Sequence, residues 1–321
     1  MAEIMVSVLC AVYNQEDYVR TALESFVKQE TDFAYEVIVN DDASTDGSAN
    51  IIREFEQRYP DIIKGVYQTE NLVSRKISPT RDVLVPLSKG KYIALCEGDD
   101  YWVDTHKLQK QLDYMQAHPD CTFCFTNGMC EEQGEITRKV IPWEKTCRVL
   151  SQEKYDLPAL DALGYIPTAS FFFPRTAYEN MPILKKGAFR GDTYLKLCMT
   201  EQGYAAYIPD VCVVYRYTRP GSITTRWHQS VEEFAVWSER FVLLYRELDR
   251  VTDGKYHHLL EYNALWWEIK VLERKKDWKG MKDKRFRLLY KRGTARRRLR
   301  FFLLCRCSFL FQLINACRRK G

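Results

Sequence analysis

The run Tyr92-Ile93-Ala94-Leu95-Cys96-Glu97-Gly98-Asp99-Asp100-Tyr101-Trp102 packs three carboxylates around one glycine directly after an apolar segment. Acidic groups this close repel one another unless a cation sits among them, and hard carboxylate oxygens suit Mg²⁺ or Mn²⁺. The apolar segment has the character of a strand buried on both faces, and open α/β sheets bind ligands beyond the carboxyl ends of such strands. The chemistry this arrangement serves is a metal held by carboxylates, with the diphosphate of a nucleotide on its far side. The plainer alternative is an acidic turn that caps the next helix, since Asp104 or Thr105 precedes the amphipathic run Leu108, Leu112, Met115.

Other reactive groups stand at comparable places. The stretch Asn40-Asp41-Asp42-Ala43-Ser44-Thr45-Asp46-Gly47-Ser48 ends a second apolar segment, Tyr35 to Val39, in acid. Asp192 opens a helical pattern carrying Tyr194, Leu195, Leu197 and Cys198. A carboxylate there serves as an N-cap neighbour or, beside a nucleotide pocket, as a general base; local sequence leaves both open. Arg216 to Arg226, with Arg219 and Ser222, is a basic loop rich in small hydroxyl residues, suited to fold over an anion or to remain solvated. Neither G-x-G-x-x-G nor a P-loop follows the first strand, which disfavours dinucleotide dehydrogenases and P-loop NTPases. Phosphate binding would fall to the metal and to basic side chains such as Arg75, Lys76 and Arg81. Cys121-Thr122-Phe123-Cys124 is formally a CxxC, but no second CxxC completes a zinc site.

The elements that must position these groups alternate. A strand from Met5 to Val12 precedes a helix with Val19, Ala22, Leu23, Phe26 and Val27 on one face. The strand Tyr35 to Val39 precedes a helix carrying Ile51, Ile52 and Phe55. A third strand near Ile62 to Tyr67 and a helix from about Arg81 to Leu87 lead to the carboxylate-bearing strand. A helix Lys107 to Ala117, a strand Cys121 to Thr126, a polar surface excursion to about Ser151, a strand or tight turn at Pro167 to Pro174 and a strand Ala206 to Tyr215 follow. Such alternation predicts an α/β fold with a mostly parallel sheet flanked by helices, both acidic strand ends on one edge.

From about Trp227 the pattern is helical throughout, with stripes Phe234, Trp237, Phe241, Leu244 and Leu259, Tyr262, Leu265, Trp266, Ile269, Leu272. Residues 291–321 add a basic block, seventeen mostly apolar residues from Phe301 to Cys317, and a basic close. That length is marginal for a span and fits better as a helix lying in an anionic membrane surface. The expected divisions are 1–226, 227–290 and 291–321. With 321 residues and 46% of them apolar, the core is ample. The net charge of +5 is modest, and the eleven cysteines sit mostly in apolar runs, as reduced thiols do. The first apolar run, Ile4 to Val12, lacks the features of a signal peptide, so a cytoplasmic protein attached to the inner face of the membrane is expected.

Taken together, the opening strand with Tyr13-Asn14 and Tyr18, Asp41 to Ser48, Glu97 to Trp102, Gly191-Asp192 and Tyr215-Arg216 resemble the family 2 glycosyltransferases of bacterial surface polysaccharides. The likeness covers about Met5 to Arg226. It implies a GT-A fold and inverting transfer of a sugar from a nucleotide sugar, UDP-linked by preference, to a hydroxyl of a glycan or polyprenyl-linked acceptor. It further implies that Ala11 and Tyr13 border the base, Asp42 contacts it and Asp41 lies beside it. Glu97, Gly98 and Asp99 stand for the family's D-x-D, with Asp99 a ligand of Mg²⁺ or Mn²⁺ and Glu97 near the ribose or the metal. Asp192 matches the catalytic base, and Arg216, Arg219 and Ser222 fall where a loop closes on the diphosphate. Two departures stand out: Glu97 replaces the usual first Asp, and Gly191-Asp192 stands where many members have Glu-Asp. The alternatives are a non-enzymatic adaptor whose basic tail binds membrane or RNA, and nucleotidyl transfer, whose glycine- and lysine-rich opening is missing. With the transferase, no nucleic-acid partner is expected.

Overall fold

A computed structural model describes residues 3–141, 152–189, 191–217, 225, 230–291 and 295–306. Two compact units emerge: Met1–Met181 with Leu195–Arg219, and Pro182–Tyr194 with Pro220–Gly321.

The first unit is a nine-stranded sheet with helices. Its strands are β1 (Ile4–Val12), β2 (Ala34–Asp41), β3 (Ile63–Tyr67), β4 (Tyr92–Leu95), β5 (Tyr101–Trp102), β6 (Cys121–Glu132), β7 (Glu135–Lys139), β8 (Phe172–Pro174) and β9 (Tyr204–Arg216). Its helices include α1 (Glu16–Val27), α2 (Ser48–Arg58), α3 (Val85–Leu87) after a π turn at Pro79–Leu84, α4 (Lys107–Ala117), α5 (Leu157–Leu163) and α6 (Arg175–Glu179). The central strands are buried on both faces, as their unbroken apolar runs require. Alternate residues divide between two clusters: Val8, Cys10, Val37, Val39 and Ala94 pack with Val19, Leu23 and Phe26 of α1. Leu9, Ile38, Ile93 and Leu95 pack with Phe123, Phe125 and Phe173. This two-residue period fixes register, because a one-residue slip would exchange the two faces.

The sheet order is β3-β2-β1-β4-β8-β6-β9-β5, with β7 paired to β6. The expectation of a mostly parallel sheet is corrected here. β1, β2, β3 and β4 run parallel, as do β6 and β9, but the other half of the pairings is antiparallel. The cause is β8, whose Phe172 pairs with both Ala94 and Cys124 and so wedges a reversed strand between β4 and β6. Phe171, Phe172 and Phe173 are fully buried there, and the chain enters from a 3₁₀ turn at Thr168–Ser170, not from a crossover helix. The polar surface excursion expected from Thr126 to about Ser151 begins as strand: β6 runs on to Glu132 and turns back into the exposed β7, and residues 142–151 lie outside the described residues. Gln133 and Gly134 supply the pair of positive φ angles, 55° and 85°, that a tight hairpin uses.

The second unit is helical. α7 (Asp192–Met199) starts within its Pro182–Tyr194 segment and continues into the first unit. α8 (Val231–Val251) and α9 (His257–Arg274) join through Asp253 and Gly254, both at positive φ, and α10 (Arg287–Lys291) and α11 (Ala295–Arg306) follow. Phe241 stacks on Trp267 at 4.3 Å, while Leu265, Ile269, Met281, Phe286, Leu289 and Leu304 form a core. The segment 182–194 is held by Phe189, whose ring lies 4.4 Å from Phe241, and by Lys185, which pairs with the buried Glu247 at 3.1 Å. In the expected membrane tail, α11 buries Leu304 and stacks Phe301 on Tyr290, while Leu299 and Phe302 are exposed. Residues 307–321 lie outside the described residues. Among the described residues no helix is long and apolar enough to cross a membrane.

Candidate active site at the strand ends

Because β1, β2 and β4 are parallel neighbours, the loops that follow them emerge on one edge. Their backbones stay coupled past the strands: the Asp42 amide donates to the Val12 carbonyl at 2.9 Å, and the Gly98 amide to the Ala11 carbonyl at 3.2 Å. The turns after β1 and β2 then cap each other's helices. The amides of Asn14, Gln15 and Glu16 donate to Ser44 Oγ, Ser48 Oγ and Asp46 Oδ2 at 3.0, 2.8 and 3.0 Å. In return the Thr45 amide donates to Asn14 Oδ1 and the Gly47 amide to Glu16 Oε2, both at 2.8 Å. Helix N-termini leave such amides unsatisfied, and here side chains from a different loop satisfy them. Asn14 and Ala43 are held at φ of 50° and 59° within this interlock. Burial pushes the Asp46 carboxyl up, but the hydroxyl and amide of Ser48 and the amide of Glu16 outweigh it and hold the carboxyl below its ordinary value.

Within this frame buried polar atoms face no partner. Gln15 Oε1, Asn40 Nδ2 and Asp41 Oδ1 are buried without a hydrogen bond among the described residues. Asp41, only 3% exposed, has its other oxygen accepting the Ser44 amide at 3.3 Å. An unpaired buried acceptor is costly, so a group aimed at a ligand is its natural explanation. The Asp42 carboxylate accepts the amides of Leu72 and Val73 at 2.6 and 3.3 Å and ties that loop to the strand end. Tyr13 stands at the rim, 46% exposed, and Ala11 is partly buried beside it.

The carboxylate turn follows β4. A Cβ on Gly98 would lie 2.6 Å from Gln15 Oε1 and 2.8 Å from Val12 Cγ2, so the turn seats against the β1 loop only because that residue is glycine. Asp100 is buried, and desolvation, then Asp99, then Glu97 push its carboxyl well above its ordinary value. Burial followed by Glu97, Asp99 and Asp100 likewise raises the Cys10 thiol. The helix-cap alternative holds for Asp104, whose carboxylate accepts the His106 amide at 2.9 Å at the start of α4, where Gln29 Oε1 also accepts the Leu108 amide at 3.1 Å. Asp100 accepts the Arg216 amide at 3.0 Å instead.

Arg216 closes the site from β9. Its Nη1 donates to the Asp99 carbonyl at 3.0 Å and its Nε to Glu131 Oε1 at 3.1 Å. The guanidinium lies 5.1 Å from the Tyr18 ring and 4.6 Å from the Tyr101 ring. Arg81 pairs with Asp82 through two 2.8 Å bonds, and Arg75 with Glu70. Arg219 and Ser222 lie outside the described residues. Asp192, the expected base, opens α7 within the 182–194 segment of the second unit.

Donor chemistry fits a divalent cation of the hard type. No group of three or more His, Cys, Asp or Glu side chains among the described residues is arranged as a complete metal cage. Glu97 and Asp99 on one turn suit instead a metal that completes its shell with waters and substrate phosphate, as Mg²⁺ and Mn²⁺ do. Cys121 and Cys124 are buried, their thiols raised first of all by desolvation, as in a hydrophobic strand. Sequence reasoning missed Gln15 and Glu131, because each acts through a partner distant in the chain.

Comparison with known proteins identifies the family. The glycosyl transferase family 2 model matches residues 7–178. An uncharacterized protein of Mycobacterium tuberculosis is 33% identical over 257 residues, 78% of this chain and 69% of that one. The putative teichuronic acid biosynthesis glycosyltransferase TuaG of Bacillus subtilis is 26% identical, covering 77% and 89% of the two chains. The Escherichia coli UDP-Glc:alpha-D-GlcNAc-diphosphoundecaprenol beta-1,3-glucosyltransferase WfaP is 32% identical over 41% of this chain and 49% of its own. Among solved structures, S. aureus TarS with UDP-GlcNAc superposes with a TM-score of 0.61 at 15% identity, over 90% of this chain and 79% of that one. The mannosyltransferase PcManGT from Pyrobaculum calidifontis with GDP-Man and Mn²⁺ gives 0.54 at 17% identity, over 95% and 79%. These two likenesses bear on the fold alone.

Proposed function

The chain belongs to glycosyl transferase family 2, and from that premise we propose that it moves a sugar from a nucleoside diphosphate sugar to a hydroxyl of a glycan or polyprenyl-linked acceptor, with inversion. The observation that carries this reading is the turn Glu97 to Asp100, seated on the β1 loop, with the unpartnered Asp41 carboxylate oxygen buried at the end of β2 on the other side of β1. Asp41 accepts an N–H of the base, Tyr13 and Ala11 flank the ring, and Asp42 keeps the 71–73 loop in place to wall it. Asp99, with Glu97, would hold Mg²⁺ or Mn²⁺. When bound, that ion neutralises charge developing on the departing diphosphate. Arg216 adds fixed positive charge at the same place, and Arg81, Arg219 and Ser222 are assigned to the phosphates.

A sugar hydroxyl is a weak nucleophile, so a carboxylate must remove its proton as the new bond forms. Asp192 takes this role, and single displacement at the anomeric carbon gives inversion. The names of TuaG and WfaP support surface-polymer and lipid-linked acceptors respectively. Family membership favours this reading over the adaptor. The protein acts on the cytoplasmic face of the membrane, with residues 291–321 on anionic lipid; liposome flotation that survives their deletion would refute that placement. A panel of UDP- and GDP-sugars, assayed for nucleoside diphosphate release with Mn²⁺ and with chelator, tests the function. At least one donor should turn over only with metal; no release from any donor would overturn the proposal.

A further inference from the structure

Glu131 belongs to none of the motifs above, yet it bonds two residues that adjoin the carboxylate turn, Tyr101 and Arg216. It lies near the end of β6 and is the register partner of Arg216 across the parallel β6–β9 pair. Its Oε1 accepts Arg216 Nε and its Oε2 accepts the Tyr101 hydroxyl, both at 3.1 Å. The Tyr217 amide donates to its carbonyl at 2.9 Å. Tyr101 is covalently the residue after Asp100, and Arg216 holds the Asp99 carbonyl and the Asp100 carboxylate. One carboxylate on β6 thus grips the turn from both sides.

The physical need for such a grip is plain. A guanidinium beside three carboxylates is drawn to pair with them bidentately, which would consume the oxygens a cation requires. Glu131 engages the Nε edge of Arg216, and the Tyr18 and Tyr101 rings flank its plane. The pair is partly buried, with side chains 10% and 17% exposed, so solvent screens it less than a surface pair. We propose that Glu131 is a positioning residue: it restrains Arg216 and Tyr101 so that the turn presents Asp99 to the metal–diphosphate. The inference rests on the metal-assisted reading of the site and adds to it a residue that touches neither metal nor substrate.

Calorimetric titration of UDP and of GDP, with Mn²⁺ and with chelator, tests it on wild type, Glu131→Gln, Tyr101→Phe and the neighbouring surface control Glu132→Gln. Residues that orient metal ligands typically cost 10- to 100-fold in affinity. Glu131→Gln should therefore weaken Mn²⁺-dependent nucleotide binding about tenfold and raise the Mn²⁺ needed for half-saturation, with chelator-insensitive binding unchanged. Tyr101→Phe, which removes one hydrogen bond and no charge, should shift binding the same way by about threefold, and it reads out even if Glu131→Gln fails to fold. Glu132→Gln should match wild type. If wild type binds Mn²⁺-nucleotide and both site variants bind it as well, Glu131 is ordinary structure and this inference alone falls. If wild type shows no Mn²⁺-dependent binding of either nucleotide, the functional reading falls and takes this one with it.

Discussion

The strand-end edge of the first unit and the helical core of the second are held by different forces. At the edge, short polar side chains from separate loops satisfy one another's amides, buried acceptors are left open, and glycine is required for contact. In the second unit, Phe241 on Trp267 and the buried set around Phe286 do the work, with charge at the margins, as in Arg246 with Glu268. A surface held by oriented hydrogen bonds fixes the direction of each polar group at modest stability, whereas close apolar packing supplies most of the stability without directional bonds. That contrast suits a site to the first place and a scaffold to the second.

Substitutions should separate the two regions. The largest effect is expected from Asp99→Ala: nucleoside diphosphate release should fall by about 10³-fold, as for loss of a central electrostatic group, with the melting temperature nearly unchanged. Phe286→Ala should do the reverse, costing about 3–5 kcal/mol in denaturant unfolding of the second unit while Mn²⁺-nucleotide affinity holds. Ser48→Ala sits between them. It removes the acceptor for the Gln15 amide and should cost about 1 kcal/mol of stability together with a measurable loss of nucleotide affinity. An equal effect of all three on stability and binding would erase the distinction.

The smallest effect is in pH dependence. Glu36 is buried at the opposite end of β2; desolvation raises its carboxyl, but Lys64, the Lys89 amide and Ser7 together outweigh that and hold it below 4.5. A depressed folded value means stability that is complete above 4.5 and lost as pH falls through the folded value. Glu36→Gln should flatten the acid limb of the unfolding curve below that pH; an unchanged limb would assign it to other carboxylates.

What was legible in sequence follows from range. α4 begins and ends at Lys107 and Ala117 as its period predicts, and β1 to β4 follow their apolar runs, because burial of each depends on local pattern. The acidic strand ends were legible for the same reason. β8 was not: a three-residue strand carries too little pattern to announce that it will pair in reverse with two neighbours. Glu131 was illegible because its role exists only once β6 lies beside β9, and the mutual capping of the loops after β1 and β2 likewise needs both strands in place. Asp192 was legible as a helix start, but not as part of a segment that packs with the helical unit.

The central claim is that Asp99 carries a divalent cation shared with a nucleotide diphosphate. Anomalous diffraction from crystals grown with Mn²⁺ and UDP addresses it directly. The account predicts a peak about 2.1 Å from an Asp99 carboxylate oxygen with diphosphate oxygens on its other side. Bound nucleotide with no anomalous peak at that turn, or a peak coordinated elsewhere, would contradict it.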